Sequence, residues 1–132
     1  MRTIIRVVSV LAMAGILLAA GQDTKPAQAV SDAFIKAIVN NDFQAYKTCA
    51  STKLLDEFAK NPKNSKIQRW WDSARAEVEK HQANWEYEGV KTNMPKIIDL
   101  DYKRTTDSGQ SVVTIELVKE GDKWLVDSAG SL

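Results

Sequence analysis

The amino-acid sequence predicts a single α+β domain in which several helices precede an antiparallel sheet. The chain has 132 residues, which leaves room for one domain. Apolar residues recur at helical spacing up to about residue 84, and from about residue 87 they alternate with polar ones. Short turn signals separate the alternating segments, and short connections require antiparallel pairing. Helices followed by such strands form an α+β fold with the helices packed on one face of the sheet.

The segment before this domain has the layout of a secretory signal peptide. Arg2 and Arg6 give it a positive start, and a run of about 14 residues without charge follows from Val7 to Ala20. That run is shorter than the roughly 20 residues that span a bilayer comfortably. We therefore expect a cleaved signal peptide, with an uncleaved membrane anchor as the alternative.

Two positions have the small residues that signal cleavage requires. Cleavage after Gly21 is favoured, and cleavage after Ala29 is the second choice because that position falls inside a predicted helix. A lipoprotein would need a cysteine directly after the first site, where this chain has Gln22. We thus predict a signal peptide over residues 1–21 and one domain over residues 22–132, located in the periplasm or secreted.

Three helices are predicted at the start of the domain. Apolar residues at steps of three and four place the first over about residues 25–40. Asp42 is a suitable N-cap for a short second helix, and Ser51 or Thr52 is one for a third. Pro62 ends the third helix, since proline cannot continue one.

The fourth helix has the clearest sequence signals. Ser65 and Gln68 have the spacing of a capping box, which predicts that the helix starts there. A mainly apolar stripe follows, in which successive residues are three or four positions apart, namely Ile67, Trp71, Ala74, Val78, His81 and Trp85. A helix over this stripe is long enough to lie across a whole sheet.

Four strands are predicted after the helices. The first contains Trp85 and is bent at Gly89. The next three have alternating apolar residues, namely Ile98, Leu100 and Tyr102, then Val113, Ile115 and Leu117, then Trp124 and Val126. Turn-forming residues connect these strands at positions 107–109 and 120–122. The last five residues, Ser128 to Leu132, are expected to form a frayed tail.

Composition excludes several classes of function. A net charge of +1 argues against a nucleic-acid partner, because such proteins carry a basic excess. One cysteine and one histidine argue against cysteine-rich or histidine-based metal sites. The sequence has no glycine-rich phosphate-binding loop, so no cofactor is predicted. Contact with a membrane is expected only if the N-terminal segment is retained.

Two stretches resemble the nuclear-transport-factor-2-like superfamily, also called cystatin-like or SnoaL-like. They are PAQAVSDAFIKAIVNNDFQAYK (Pro26–Lys47) and VVTIELVKEGDKWLVDS (Val112–Ser128). The chain looks most similar to exported bacterial domains of unknown function, many of them lipoproteins, but it lacks their lipidated cysteine. The resemblance implies a curved sheet around the first helix with a cone-shaped cavity between them. This superfamily contains enzymes, ligand binders and dimerising modules, so the fold alone does not decide the function.

Four aromatic residues are the candidate ligand-binding residues. Tyr46 and Tyr102 are expected to line the cavity, or to be ordinary core tyrosines with one hydrogen bond each. Trp70 and Trp71 differ by about 100° around their helix, so only one of them can face the core fully. The other is expected at a rim, where it packs at the periphery or contacts a ligand or protein.

The enzymes of this superfamily use a cavity carboxylate as a base, and we assign no catalytic residue here. Asp99 and Asp101 are predicted on the sheet face opposite the apolar one, and therefore in water. His81 is predicted on the apolar stripe of the fourth helix as a core or rim residue. Cys49 is predicted to be a small buried hydrophobe, with an intermolecular disulfide as the alternative.

We therefore expect an exported, non-enzymatic module without a cofactor. It would bind a small apolar ligand or a protein partner, including a second copy of itself, through its cavity or its sheet face. One alternative is a small isomerase-like, cyclase-like or hydrolase-like enzyme that uses cavity tyrosine and aspartate residues. Another is an accessory or immunity factor of an envelope secretion system.

Overall fold

The computed structural model describes residues 21–132. Except for Gly21, the predicted signal peptide lies outside these residues. Within them, helices come first and a four-stranded antiparallel sheet follows, which confirms the predicted α+β fold. No helix in the described part of the chain is both long enough and apolar enough to cross a membrane.

The helices and strands follow the predicted order. The helices are α1 (Lys25–Val39), α2 (Phe43–Thr48), α3 (Thr52–Lys60) and α4 (Lys66–His81), with a short 3₁₀ turn at Pro62–Asn64. The strands are β1 (Asn84–Met94), β2 (Ile97–Thr106), β3 (Gly109–Glu120) and β4 (Lys123–Ser128). Each strand pairs with the next one along the chain, and the sheet is curved and unclosed.

The predicted N-caps are present at the starts of three helices. The side chain of Asp42 accepts a hydrogen bond from the N–H of Ala45 at 3.1 Å, which caps α2. Ser51 caps α3 and Ser65 caps α4 in the same way. The expected capping box is only half formed, because the side-chain amide of Gln68 donates to Asp72 instead of returning to the cap.

Helix α4 ends earlier than the apolar stripe predicted. Gln82 adopts a left-handed conformation with φ of 55°, and its N–H donates to the carbonyl of Glu77, which closes the helix. Trp85 therefore lies in β1 and not on α4. The prediction that it ends the apolar stripe of this helix is wrong. His81 is at the C-terminal end of α4 with its side chain 48% exposed, so it is a surface residue.

The predicted alternation of buried and more exposed side chains along the central strands is confirmed. Ile98, Leu100 and Tyr102 are buried beneath the helices. Asp99 and Asp101 lie on the opposite face, which we call the outer face. The predicted bend in the first strand is also present, since the register of β1 and β2 shifts between Tyr87 and Gly89.

The last residues are not frayed, in contrast to the prediction. Ala129 and Leu132 are buried, and the guanidinium of Arg104 donates to the carbonyl of Leu132 at 3.0 Å. The hydroxyl of Ser131 accepts a hydrogen bond from the N–H of Thr114 in β3. The tail thus continues along β3 after β4 has ended.

Fully buried side chains fill the space between the helices and the sheet. The largest of them are Tyr46, Tyr102, Phe34, Ile38, Leu54, Ile67, Ile98, Leu100, Ile115, Leu117 and Val126. The free edge of β4 is covered by the connection between α2 and α3. There the N–H of Val126 donates to Cys49 at 2.7 Å, and the N–H of Ser51 donates back to Val126 at 2.8 Å.

Candidate ligand-binding groove

A surface groove of about 430 Å³ lies between the start of α1, the end of α2 and the start of β4. Its lining consists of Pro26, Ala29, Val30, Ala33, Thr48, Cys49, Asp122, Lys123, Trp124 and Leu125. Most of these side chains are apolar. The groove is therefore suited to an apolar group of small-molecule size.

The outward side of α1 keeps the groove open because its side chains there are small. Ala29 and Ala33 are exposed one turn apart on this helix. Ala27 and Phe34 lie on its other side and are completely buried. Helix α1 thus has one side that belongs to the core and another that forms a wall of the groove.

The opposite wall is held in place by backbone hydrogen bonds. Cys49 and Trp124 are nearly buried, and the backbone hydrogen bonds of Cys49 and Ser51 with Val126 fix the end of α2 against β4. The ammonium of Lys119 lies 5.8 Å from the ring centre of Trp124 and holds the indole by a cation–π contact. This wall is consequently preformed.

Cys49 is the only cysteine of the chain, and its thiol borders the groove. Burial raises its pKa above the ordinary value of 9.0, so the thiol is protonated at neutral pH. The sulfur lies 3.5 Å from the carbonyl oxygen of Ala45. Both features agree with its interpretation as a small buried hydrophobe.

Two of the four predicted binding residues lie together in the core. The ring centres of Tyr46 and Trp71 are 4.9 Å apart. Phe43 and Phe34 pack against Tyr46 in the same cluster. The hydroxyl of Tyr46 donates a hydrogen bond to the backbone carbonyl of Ile67 at 2.8 Å. The single donor of this hydroxyl is therefore already engaged within the protein.

Tyr102 occupies a separate position between the sheet and α1. Its hydroxyl donates to Asp32 at 2.6 Å, and its ring meets that of Tyr87 edge-on. Burial, with the bond to Asp32 as the second cause, raises the pKa of Tyr102. Asp32 itself is exposed to solvent, so this tyrosine–carboxylate pair is not a closed site from which water is excluded.

Trp70 is the predicted binding residue that reaches the surface. It is half-buried, whereas its neighbour Trp71 is only 8% exposed, as the 100° rotation between them predicts. A second depression of about 400 Å³ surrounds it, lined by Lys53, Lys66, Arg69, Trp70, Glu116, Asp127 and Ser128. Its charges partly compensate each other, since Lys53 lies 3.5 Å from Asp127.

The acidic residues of the outer face do not form a catalytic pair in the interior. Asp101 accepts a hydrogen bond from the hydroxyl of Thr114 at 2.7 Å. Asp99 lies opposite Glu116, and partial burial followed by the charge of Asp99 raises the pKa of Glu116. His81 lies 3.3 Å from Asp107, and both are about half exposed. None of these residues is among those that line the groove.

Sequence reasoning did not identify most of the groove. Ala29, Ala33 and Leu125 carry no chemical signal, and the sequence pattern around Trp124 predicts only a strand. The one available indication was the spacing of small residues on the side of α1 opposite Phe34. That side is exposed, which is visible only once the orientation of the helix on the sheet is known.

The two adjacent tryptophans should differ strongly in their contribution to stability. We expect Trp71→Ala to lower the free energy of unfolding by about 3–5 kcal/mol, because it empties part of the aromatic core. Trp70→Ala should cost less, about 1–2 kcal/mol, because part of the Trp70 side chain is already exposed to water. Urea denaturation of both variants measures the difference. Equal losses would contradict the assignment of one ring to the core and the other to the rim.

The buried tyrosines should make the protein unstable in alkali. Burial raises the pKa of Tyr46 and Tyr102 above the ordinary value of 10.0. The folded state therefore keeps protons that the unfolded state loses, and stability falls as the pH rises above that value. Each tyrosine should contribute a slope of about 1.4 kcal/mol per pH unit.

Urea denaturation across the alkaline range tests this slope in a Cys49→Ser background, which removes the other buried acid. Tyr46→Phe and Tyr102→Phe should each lose about 1 kcal/mol at neutral pH and flatten the alkaline slope. A slope that is unchanged in the double variant would show that other groups cause the alkaline loss.

Comparison with protein-family models and with curated proteins identifies no relative of this chain. No protein-family model matches the chain, and no curated protein matches it significantly. The resemblance to the nuclear-transport-factor-2-like superfamily consequently depends on the order of elements and on the two sequence stretches that suggested it.

Proposed function

We propose that the chain is an exported, non-enzymatic binding module that takes a small apolar ligand in the groove beside α1. The observation that carries this proposal is the apolar lining of a space of about 430 Å³. Ligand pockets of proteins are mostly apolar and have volumes of about 300–1,000 Å³. We include membership of the nuclear-transport-factor-2-like superfamily in the proposal, since α1, α2 and the β3–β4 hairpin occupy the stretches that resemble it.

The chemistry of the lining supports binding over catalysis. Thr48 uses its hydroxyl to donate to the carbonyl of Ala45, and Cys49 is protonated at neutral pH. Asp122 and Lys123 are exposed at the mouth of the groove. An apolar ligand gains affinity here from the area it removes from water, about 25 cal/mol per Å².

The position at which the signal peptide is cleaved decides whether the groove stays intact. Cleavage after Ala29 would remove Pro26, Ala27 and Ala29, and with them part of one wall of the groove and a completely buried core residue. Cleavage after Gly21 leaves α1 intact. If the chain is exported, the fold therefore favours cleavage after Gly21 over cleavage after Ala29.

The groove should bind the uncharged fluorescent probe N-phenyl-1-naphthylamine. Ala29→Arg and Ala33→Arg place a charge in the apolar lining and should weaken binding about tenfold or more. Val39→Arg is the matched control, since Val39 is exposed on the same helix but outside the groove. Titration of the probe by fluorescence measures the dissociation constants, and thermal melting confirms that each variant folds.

Alkylation of Cys49 gives a second readout of the same site. A saturating probe should slow the reaction of this single thiol with a small alkylating reagent, because both occupy the groove. If the two groove variants bind the probe as well as Val39→Arg does, or if the probe leaves alkylation unchanged, the ligand site is not this groove.

Export predicts a defined N-terminus. When the full chain is expressed with an intact secretion pathway, intact-mass measurement of the extracytoplasmic protein should show that it begins at Gln22. Gly21→Leu should block this processing, because a large residue replaces the small one at the cleavage site. A start at Val30, or recovery of the unprocessed chain alone from the cytoplasm, would contradict the proposed processing.

A further inference from the structure

The depression around Trp70 differs in chemistry from the groove beside α1. It has a volume of about 400 Å³ and lies where the starts of α3 and α4 meet β3 and the end of β4. Its lining is charged or polar except for the indole of Trp70, and it shares no residue with the groove. It is therefore a separate candidate site for a different class of ligand.

Charges of both signs surround this depression. Three cations and two acids line it, namely Lys53, Lys66, Arg69, Glu116 and Asp127. Asp99 is the register partner of Glu116 on the neighbouring strand and adds a third acid. Glu57, which accepts a hydrogen bond from the N–H of Lys66, adds a fourth at the border. A ligand with a net charge would meet repulsion as well as attraction here, so an uncharged ligand fits this balance better.

Some of the polar side chains in the depression are already engaged, and others are available to a ligand. Asp127 lies 3.5 Å from the ammonium of Lys53. In the part of the chain that the structure describes, no N–H or hydroxyl donates to the carboxylate of Glu116, and the side chains of Lys66 and Ser128 have no polar partner. The available groups thus include hydrogen-bond donors and an acceptor. Covering them with an apolar ligand would be unfavourable, because they would lose their water without replacement.

The indole of Trp70 supplies the apolar surface of the depression. Its side chain is half-buried, so part of it faces solvent. Gly130 approaches the edge of this indole so closely that a Cβ at position 130 would lie 3.1 Å from Nε1. Gly130 does not have a positive φ, so its backbone conformation does not require glycine. The missing side chain instead leaves this edge of the indole uncovered.

We propose that the depression binds a neutral oligosaccharide made of pyranose rings whose hydroxyls are equatorial. Such a ring has apolar C–H groups on its faces and hydroxyls around its rim. One face packs on the indole of Trp70, while rim hydroxyls donate to Glu116 and accept from Lys66 and Ser128. An uncharged ring with an apolar face and a polar rim meets all the observations above. The proposal depends neither on the groove nor on export.

Nuclear magnetic resonance of the tryptophan side chains tests this site directly. The probe is cellotetraose, a neutral β-1,4-linked chain of glucose rings with equatorial hydroxyls. The chain has four tryptophans, and the indole N–H signals that disappear in Trp70→Phe and in Trp85→Phe belong to those residues. We expect cellotetraose to shift the signal of Trp70 in the millimolar range and to leave that of Trp85 in place. Sorbitol, which has hydroxyls but no ring face, should shift neither.

Substitutions separate the two parts of the proposed contact, and calorimetric titration measures their effect on affinity for cellotetraose. Trp70→Ala should weaken binding about tenfold or more, because the stacking surface is lost. Trp85→Ala is the matched control, since Trp85 is also half-buried but lies in β1 outside the depression. Glu116→Ala should weaken binding about two- to tenfold through the lost hydrogen bond. Its control, Glu88→Ala, removes an exposed carboxylate of β1 and should have no effect.

Thermal melting checks that each variant folds, and Glu116→Ala with its control still decides the question if Trp70→Ala does not. The proposal is overturned if cellotetraose leaves the Trp70 signal unchanged up to its solubility, or if sorbitol shifts that signal equally. Equal affinities in the variants and their controls would also overturn it. A shift caused by leucine but not by cellotetraose would identify a zwitterionic amino acid as the ligand instead. Displacement of N-phenyl-1-naphthylamine by cellotetraose would place the sugar in the groove and contradict a separate site.

Discussion

The packing of α1 against the sheet is the contact on which the rest of the structure depends. Ala27, Phe34 and Ile38 on one side of this helix are completely excluded from solvent. Burying a side chain as large as Phe34 or Ile38 contributes about 1.5–3 kcal/mol, so this interface fixes how the helix is rotated about its axis. That rotation determines which residues of α1 remain outside, and these residues form a wall of the groove.

The connection from α2 to α3 completes the opposite wall by satisfying the edge of β4. An uncovered strand edge exposes backbone groups that invite pairing with another chain. Here the backbone of Cys49 and Ser51 pairs with Val126, and the buried hydroxyl of Ser51 both donates to Asp127 and caps α3. One short segment therefore protects the edge, starts a helix and positions the thiol that borders the groove.

The helices, the strands and the open face of the sheet were predictable because local chemistry determines them. Asp42, Ser51 and Ser65 cap helices through contacts three residues away, and strand alternation assigns Asp99 to the outer face. The end of α4 was not predictable, because Gln82 adopts the left-handed conformation without being glycine. The order in the tail was missed as well, because Leu132 is held by Arg104, which is distant in sequence.

The binding residues were harder to predict because large aromatic side chains serve the core as readily as a ligand. Tyr46 and Tyr102 both have the expected inward orientation, but each hydroxyl has a partner within the protein, Ile67 in one case and Asp32 in the other. A buried hydroxyl without a partner costs about 1–3 kcal/mol, so a stable interior provides one. Space for a ligand instead arises where side chains are small, as at Ala29 and Ala33, and such residues are recognised only when the packing of their helix is known.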